Sequence, residues 1–228
     1  MSWRDYWNAD SPIYVSDRHK TLHYGLIARD VAALVPGPGA VVLDHGCGEA
    51  LSAARVAAAC RKLYLCDGAP LVRDRLSRLF AAEPKIAVLS PEEIDGLPDG
   101  SLDLVVVNSL LQYLSVEELD GLLGLWRTKL APRGTLVLAD ILPPDLSPVD
   151  DVRALLGFAW QGGFLRAALA GLVRTAFSDY RKLRTELGLT HHSEAEMLDL
   201  LRSRGFTAER RPNLGHNPRR MAFAAQKA

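Results

Sequence analysis

A glycine-rich turn at residues 44–48 has the composition of a ligand-binding loop. Its sequence is Asp-His-Gly-Cys-Gly, and it lies between a short apolar run and a segment of small residues. Glycines allow the chain to turn sharply and to approach a ligand closely, while N–H groups at the start of the following helix face that ligand. Asp67, at the end of the next apolar run, is placed to accept hydrogen bonds from a ribose diol. The pattern predicts a nucleotide-like cofactor.

Two residues narrow the class of that cofactor. Leu51 occupies the position of the third glycine in the dinucleotide-binding pattern, which disfavours a ligand that carries a pyrophosphate. The acidic Asp44 beside the turn suits a cationic ligand better than a diphosphate.

The segments around the turn alternate between strand and helix patterns. Short apolar runs predict strands at 40–43, 62–66, 85–89, 102–107 and 135–139, and helical patterns predict helices at 21–35, 50–59, 70–82 and 116–130. Such alternation predicts an α/β fold: a Rossmann-like, mostly parallel sheet with helices on both faces. Strands at 206–211 and 219–226 follow one another without a helix, so a C-terminal antiparallel hairpin is expected to complete seven strands.

We expect residues 1–228 to form a single domain. A helical segment at 1–35 precedes the first strand, and a helical cap insertion is predicted at about 145–190, where the alternation stops after Asp140. It resumes at Ser193, where Ser and Glu196 are spaced as in a capping box.

Four blocks in this order resemble the class I S-adenosylmethionine-dependent methyltransferases. Residues 42–48 (VLDHGCG) are similar to motif I of that family, and Asp67 follows at the expected place. Residues 97–104 (LPDGSLDL) resemble the approach to the fourth strand. Residues 130–136 (LAPRGTL) resemble the family's L-x-P-G-G-x-L entry to the fifth strand, with Arg133 in place of the first glycine.

The resemblance implies S-adenosylmethionine as the cofactor and assigns residues to it. The backbone of Gly46, Cys47 and Gly48 is expected to contact it, with Asp44 near the methionine amino group and Asp67, beside Gly68, on the ribose hydroxyls. Further positions implied are Glu93 and Ile94 at the adenine, Asn108 and Ser109 at the methionine end, and Tyr14 and Arg18 at the carboxylate, which a guanidinium suits.

Candidate catalytic residues are three histidines: His191, His192 and His216. Transfer of a methyl group is an in-line displacement, so positioning supplies much of the rate, but a hydroxyl acceptor gains from a general base. Each histidine also has an ordinary interpretation, as a helix-capping or junction residue for the first two and as part of a turn for His216. The sequence contains no convincing metal-ligand set, and we expect no metal.

The predicted insertion bears on the acceptor. Residues 157–165 (GFAWQGGFL) are aromatic and apolar, and basic residues follow them. The insertion is interpreted either as an amphipathic cap packed on the sheet or as a lid over a small-molecule acceptor. In the second interpretation, Gly162 and Gly163 would make the lid flexible. A lid of this composition would suit a hydrophobic or lipid-like acceptor, and peripheral contact with a membrane is a further hypothesis.

Composition limits the classes of partner and the cellular compartment that we expect. Lys and Arg together number 27, as do Asp and Glu, so we expect no nucleic-acid partner. Three unpaired cysteines and the lack of a signal-like or membrane-spanning apolar run predict a cytoplasmic protein.

The preferred function is methylation of a small molecule on oxygen. Alternatives are a nicotinamide-dependent oxidoreductase and a non-catalytic cofactor-binding protein.

Overall fold

The computed structural model describes residues 14–176 and 189–228. Its helices are α1 (Asp17–Leu34), α2 (Ala53–Ala59), α3 (Pro70–Leu79), α4 (Pro91–Asp95), α5 (Val116–Lys129), α6 (Pro148–Gly162), α7 (Leu165–Ala176) and α8 (Glu194–Ser203). The strands are β1 (Val41–His45), β2 (Lys62–Cys66), β3 (Ile86–Leu89), β4 (Leu102–Asn108), β5 (Leu130–Ile141), β6 (Phe206–Arg211) and β7 (Met221–Lys227).

The seven strands form one sheet in the order β3-β2-β1-β4-β5-β7-β6. Strands β1 to β5 pair in parallel, whereas β7 pairs antiparallel with both β5 and β6. The predicted Rossmann-like sheet and its C-terminal hairpin are therefore confirmed. The carboxyl ends of β1, β2, β4 and β5 meet at one edge, which is where ligands bind in open parallel sheets.

Both faces of the sheet are covered by helices, as predicted. Leu104 and Val106 of β4 pack in one buried cluster with α1, α2 and α3. Val105 and Val107 point the other way, into a cluster that includes Trp126 of α5. Side chains alternate across a strand, so a run of apolar residues can fill both cores at once.

Local geometry corrects several predicted boundaries. Helix α2 begins at Ala53, later than predicted, because Ala50 has a φ of 40°, outside the helical region. Strand β5 starts at Leu130 and runs through Pro132, which stands at a register shift in its pairing with β4. The short helix α4 was not predicted, although Ser90 and Glu93 form a capping box at its start.

The predicted insertion contains two helices, α6 and α7, joined at Gly163, which adopts the left-handed C-cap conformation. Ala159, Phe164 and Ala168 form a small buried cluster against Val15 and Leu22 at the start of the chain. A Cβ at Gly171 would lie 2.2 Å from Val15 Cγ1, so that close approach requires glycine. The rest of the predicted insertion, 177–188, and the first part of the N-terminal segment, 1–13, lie outside the described residues.

Within residues 14–176 and 189–228, no helix is long and apolar enough to cross a membrane. Large exposed apolar side chains do occur on the cap, at Trp160 on α6 and at Leu169 and Val173 on α7. The hypothesis of peripheral membrane contact remains a prediction.

Candidate active site

A cavity of about 1000 Å³ opens at the carboxyl edge of the parallel strands. The glycine turn after β1, Asp67 and Gly68 after β2, Asn108 and Ser109 at the end of β4, and Asp140 near the end of β5 all line it. The sheet thus gathers most of the predicted cofactor-binding residues around one space.

The turn after β1 is held by its own hydrogen bonds. The N–H groups of Gly46 and Cys47 both donate to the carbonyl of Cys66, at 2.8 and 3.0 Å. Gly46 has a φ of 78° and Gly48 a φ of 57°, both in the left-handed region that favours glycine. A Cβ on Gly46 would lie 3.0 Å from Leu110 Cδ2, so a side chain there would push Leu110 away from the turn.

Asp67 supports the turn and still has capacity to bind a ligand. One carboxylate oxygen accepts from Gly48 N at 3.0 Å and the other accepts from Ala69 N at 2.8 Å. Each carboxylate oxygen can accept a second hydrogen bond, so two hydroxyl groups of a ligand can be held. Burial raises the pKa of Asp67, although these two backbone donors oppose that shift.

Asp44 is half-buried, and no cation of the described residues pairs with it. It lines a small pocket of about 50 Å³ beside the main cavity, together with His23, Tyr24 and Asn108. Burial, and then the nearby Asp67, raise the pKa of Asp44 to about 7. A cationic group bound nearby would offset that cost, because an opposite charge favours the ionised carboxylate.

A chain of hydrogen bonds joins the ends of β4 and β5. Asn108 Nδ2 donates to Ser109 Oγ at 3.1 Å, and Ser109 Oγ donates to Asp140 Oδ2 at 2.6 Å. Ser109 and Asp140 have φ values of 59° and 61°, a conformation that non-glycine residues rarely adopt. This strain fixes two polar side chains at the edge of the cavity.

Arg220 extends the chain to the cap. Its Nη1 donates to Asp140 Oδ2 at 2.6 Å, and its Nη2 donates to Asp151 Oδ1 on α6 at 3.1 Å. Asn217 Nδ2 donates to the same Asp151 oxygen at 2.9 Å. Sequence reasoning did not assign Asp140, Asp151 or Arg220 to the site; the only sequence signal was that Asp140 ends a predicted strand.

Of the two residues predicted to bind the cofactor carboxylate, one lies at the cavity. Tyr14 lines the cavity, and its hydroxyl is hydrogen-bonded to Tyr24. Burial raises the pKa of Tyr14 well above its usual value. Arg18 is exposed and lies outside the cavity lining, with its Nε donating to the carbonyl of Gly162 at 2.5 Å. Its guanidinium holds the end of α6, and its assignment to the carboxylate stays a prediction.

The two residues predicted to meet the adenine also lie elsewhere. Glu93 closes the capping box of α4, where its carboxylate accepts from Ser90 N at 2.7 Å. Ile94 is fully buried in the core. Pro91 and Asp95, at the two ends of the same helix, line the cavity instead. A helix turns its residues to different sides, so neighbouring positions of one segment face the cavity, the solvent and the core.

The candidate histidines separate into two groups. His191 is exposed, and His192 donates its backbone N–H to Leu142 O at 2.9 Å. Neither side chain lines the cavity, and their catalytic roles stay predictions. His216 does line it, together with His19 and His23 of α1. The ring of His216 lies 5.9 Å from that of His23 and stacks on Phe158 at 4.5 Å.

These three cavity histidines are held in the neutral form. Burial lowers the pKa of His19 to about 4 and that of His23 to about 3. Burial also lowers the pKa of His216, and Arg220 adds to that effect, while Asp140 and Asp151 oppose it. A neutral imidazole can accept a proton, so the cluster has the chemistry of a general base.

One further histidine borders the cavity. His45, the last residue of β1, accepts at Nδ1 a 2.9 Å hydrogen bond from Trp126 Nε1. The lining as a whole is acidic, with eight carboxylate side chains against three from Lys and Arg. Among the described residues, no group of three or more His, Cys, Asp or Glu side chains could hold a metal ion.

Comparison with known proteins finds similarity to methyltransferases. Residues 43–138 match the family model described as "Methyltransferase domain". No curated protein matches the chain in a sequence search. Among solved structures, mitomycin 7-O-methyltransferase is similar over 100% of this chain and 61% of its own, with a TM-score of 0.67 and 17% identity.

Two other solved structures match this chain over nearly the whole length of both proteins. A Haloferax volcanii protein in complex with the Trm112 methyltransferase activator has a TM-score of 0.64 and 16% identity, over 100% of this chain and 98% of that one. Magnesium protoporphyrin IX methyltransferase from Synechocystis PCC 6803, with bound S-adenosylhomocysteine, has a TM-score of 0.58 and 17% identity, over 99% and 93%.

Proposed function

We propose that this chain is an S-adenosylmethionine-dependent methyltransferase and that it methylates a hydroxyl group of a small-molecule acceptor, with His216 as the general base. The observation that carries this proposal is the cluster of three neutral histidines, His19 buried and the other two half-buried, on one wall of the cofactor cavity. The names of two structural neighbours, a mitomycin 7-O-methyltransferase and a magnesium protoporphyrin IX methyltransferase, support a small acceptor.

The residues around the cavity fit this cofactor. Asp67 has capacity left for two ribose hydroxyls, and Gly46 lets Leu110 pack closely against the turn. The excess of carboxylates in the lining, and the unpaired Asp44 beside it, favour a ligand with positive charge. When bound, S-adenosylmethionine supplies a methyl group on a cationic sulfur. A diphosphate would meet repulsion here, which argues against the nicotinamide-dependent alternative.

His216 has the surroundings that a general base needs. Its stacking on Phe158 fixes the ring, and burial keeps it neutral and able to accept a proton. Asp140 and Asp151 favour the imidazolium that forms when the acceptor hydroxyl loses its proton. His23 and His19 lie next to it, but burial lowers their pKa values to about 3 and 4, and no carboxylate opposes that shift as Asp140 and Asp151 do at His216. We therefore assign the role to His216.

The lining near His216 favours a polar acceptor. Tyr14, His19, Asp140, Asp151 and Arg220 border that part of the cavity. Among the described residues of α6 and α7, only Asp151 lines it, because the apolar cap residues pack against the start of the chain. The cap composition on which the lipid-like acceptor was predicted therefore gives that acceptor no support.

Placement in the cytoplasm is also a proposal. Cys47, Cys60 and Cys66 are buried and unpaired, which suits a reducing compartment.

The test begins with methyl-deuterated S-adenosylmethionine and fractions of a small-molecule extract. Mass spectrometry then identifies the labelled product and the atom that carries the methyl group. With that acceptor, His216→Gln is expected to lower kcat by about 100- to 10,000-fold, the range for loss of a general base. His191→Gln, on an exposed histidine outside the cavity, is the matched control and is expected to keep wild-type kcat.

Two results would contradict the proposal. One is a product that carries the methyl group on nitrogen or carbon. The other is a His216→Gln enzyme with wild-type kcat across the pH range.

A further inference from the structure

The orientation of the proton on His45 follows from its partner. Trp126 is fully buried, and its indole N–H can only donate a hydrogen bond. Since Nε1 lies 2.9 Å from His45 Nδ1, that nitrogen must accept and carries no proton. The neutral imidazole therefore has its N–H at Nε2. Burial lowers the pKa of His45 to about 4, so this form persists at neutral pH.

The donor at Nε2 faces the cavity. His45 is 5% exposed and belongs to the cavity lining. Within the described part of the chain, the only hydrogen bond of its side chain is the one at Nδ1, yet Nε2 is not among the polar atoms sealed away from solvent. In His192, by contrast, Nε2 is both sealed and without a partner. Nε2 of His45 is thus an oriented donor that is open to a ligand.

The position of His45 indicates which part of the ligand it meets. Its register partner on β2 is Cys66, which directly precedes Asp67, the residue proposed for the ribose. Its side chain lies on the α5 side of the sheet, as the contact with Trp126 shows, whereas the three neutral histidines line the part of the cavity next to α1. A base attached to the ribose can therefore extend along the α5 side.

The walls on that side suit a flat heterocycle. Pro91, Leu110, Leu122 and Leu125 line the cavity there and supply apolar surface. A base in such a slot loses water from its ring nitrogens, and each nitrogen then needs a hydrogen-bond donor to avoid an unpaired acceptor.

We propose that Nε2–H of His45 donates a hydrogen bond to a ring nitrogen of the cofactor's adenine, making His45 a binding and specificity residue. The proposal rests on the cofactor assigned above but not on the acceptor or on His216.

The experiment measures binding by calorimetry and needs no acceptor. S-Adenosylhomocysteine is compared with its 1-deaza, 3-deaza and 7-deaza analogues, each of which replaces one ring nitrogen by C–H. In the wild-type protein, one analogue is expected to bind about 3- to 10-fold more weakly, the range for one neutral hydrogen bond. In His45→Phe the parent compound is expected to weaken by a similar factor, and the penalty on that analogue is expected to disappear.

Two additional variants separate this role from a structural one. His192→Phe removes another partly buried histidine, away from the cavity, and is expected to keep the wild-type affinities for all four compounds. His45→Gln, whose amide N–H replaces the ring donor from a different position, is used if circular dichroism shows that the phenylalanine variant does not fold. It is expected to keep only part of the wild-type affinity for S-adenosylhomocysteine and only part of the penalty on that analogue, whereas an unchanged affinity and penalty would overturn the role of His45.

Equal binding of all analogues to the wild type, or the same penalty in the wild type and in His45→Phe, overturns the role of His45 while leaving the cofactor intact. Failure of the wild type to bind S-adenosylhomocysteine at all overturns the cofactor assignment and the proposal with it.

Discussion

Nη1 of Arg220 lies 2.6 Å from Oδ2 of Asp140, and this ion pair joins the residue before β7 to the end of β5. Both side chains are only 16% exposed. The same guanidinium reaches Asp151 on the cap helix α6. One arginine therefore connects the sheet edge, the C-terminal hairpin and the cap around the cavity.

Replacing Arg220 is expected to lower the stability of the fold. In Arg220→Met, two largely buried carboxylates lose their cationic partner, so we expect the free energy of unfolding to fall by about 1–3 kcal/mol. Urea unfolding monitored by circular dichroism measures it. Arg219→Met is the matched control, because Arg219 pairs with Asp145 at the surface, where such pairs contribute about 0–1 kcal/mol. Equal losses in the two variants would show that the buried network has no special role.

Asp67 is expected to dominate cofactor affinity. Asp67→Ala removes the two free acceptor positions of the carboxylate, so S-adenosylhomocysteine should bind about 10- to 100-fold more weakly, as for hydrogen bonds to a charged group. The variant also loses its bonds to Gly48 N and Ala69 N, so a modest loss of stability should accompany the effect. Calorimetry measures the affinity, and Asp74→Ala, on the exposed side of α3, is the control. Wild-type affinity in Asp67→Ala would remove this residue from the site.

The Asp44 carboxylate is expected to lower the stability of the cofactor-free protein and to raise its affinity for the cofactor. Its pKa is raised from 3.8 to about 7 in the folded protein, so ionisation of this carboxyl costs stability progressively as the pH rises from about 4 to about 7. Without cofactor, Asp44→Asn is expected to unfold with a higher free energy than the wild type at pH 8, by about 1 kcal/mol or more. The difference should vanish near pH 4, and affinity for the sulfonium cofactor should fall. A variant that is less stable than the wild type at pH 8 would contradict this account.

His23 should make the protein sensitive to acid. The unfolded chain protonates this histidine below pH 6.5, whereas the folded chain does not until about pH 3, so its contribution to stability falls as the pH drops through that window. Relative to the wild type, His23→Phe should lose about 1–2 kcal/mol less between pH 7 and pH 5.

The comparison of variants isolates His23 from Asp44, whose raised pKa acts in the opposite direction. Unfolding curves at pH 7, 6 and 5 provide the test. His191→Phe, on an exposed side chain, is expected to follow the wild type. Identical pH dependence of His23→Phe and the wild type would refute the prediction.

Local pattern was enough for the sheet and for part of the site. The apolar runs have strand length and lie between helical patterns, so the order of elements follows from the sequence alone. The turn at Gly46 and Gly48 and the carboxylate of Asp67 follow directly from strand ends, and parallel strands bring their carboxyl ends to one edge. These residues line the cavity as the pattern implied.

Side chains on helices and connections were less predictable. Glu93 and Ile94 belong to a five-residue helix whose facing depends on what packs beneath it, so one caps the helix and the other enters the core. Arg18 binds a carbonyl 144 residues away. No local pattern encodes such a contact.

The sequence by itself determined the order of the parallel strands along the chain and the polar residues that follow β1 and β2. Strand periodicity, glycine turns and a carboxylate at a strand end are local patterns of a few residues. Only the tertiary structure decided which histidines share the cavity, that Arg220 ties Asp140 to the cap, and that Trp126 orients the proton of His45. Trp126 and His45 are 81 residues apart, and their contact exists only because α5 packs across the end of β1. Directions of side chains at a shared edge depend on packing between distant segments, which periodicity does not record.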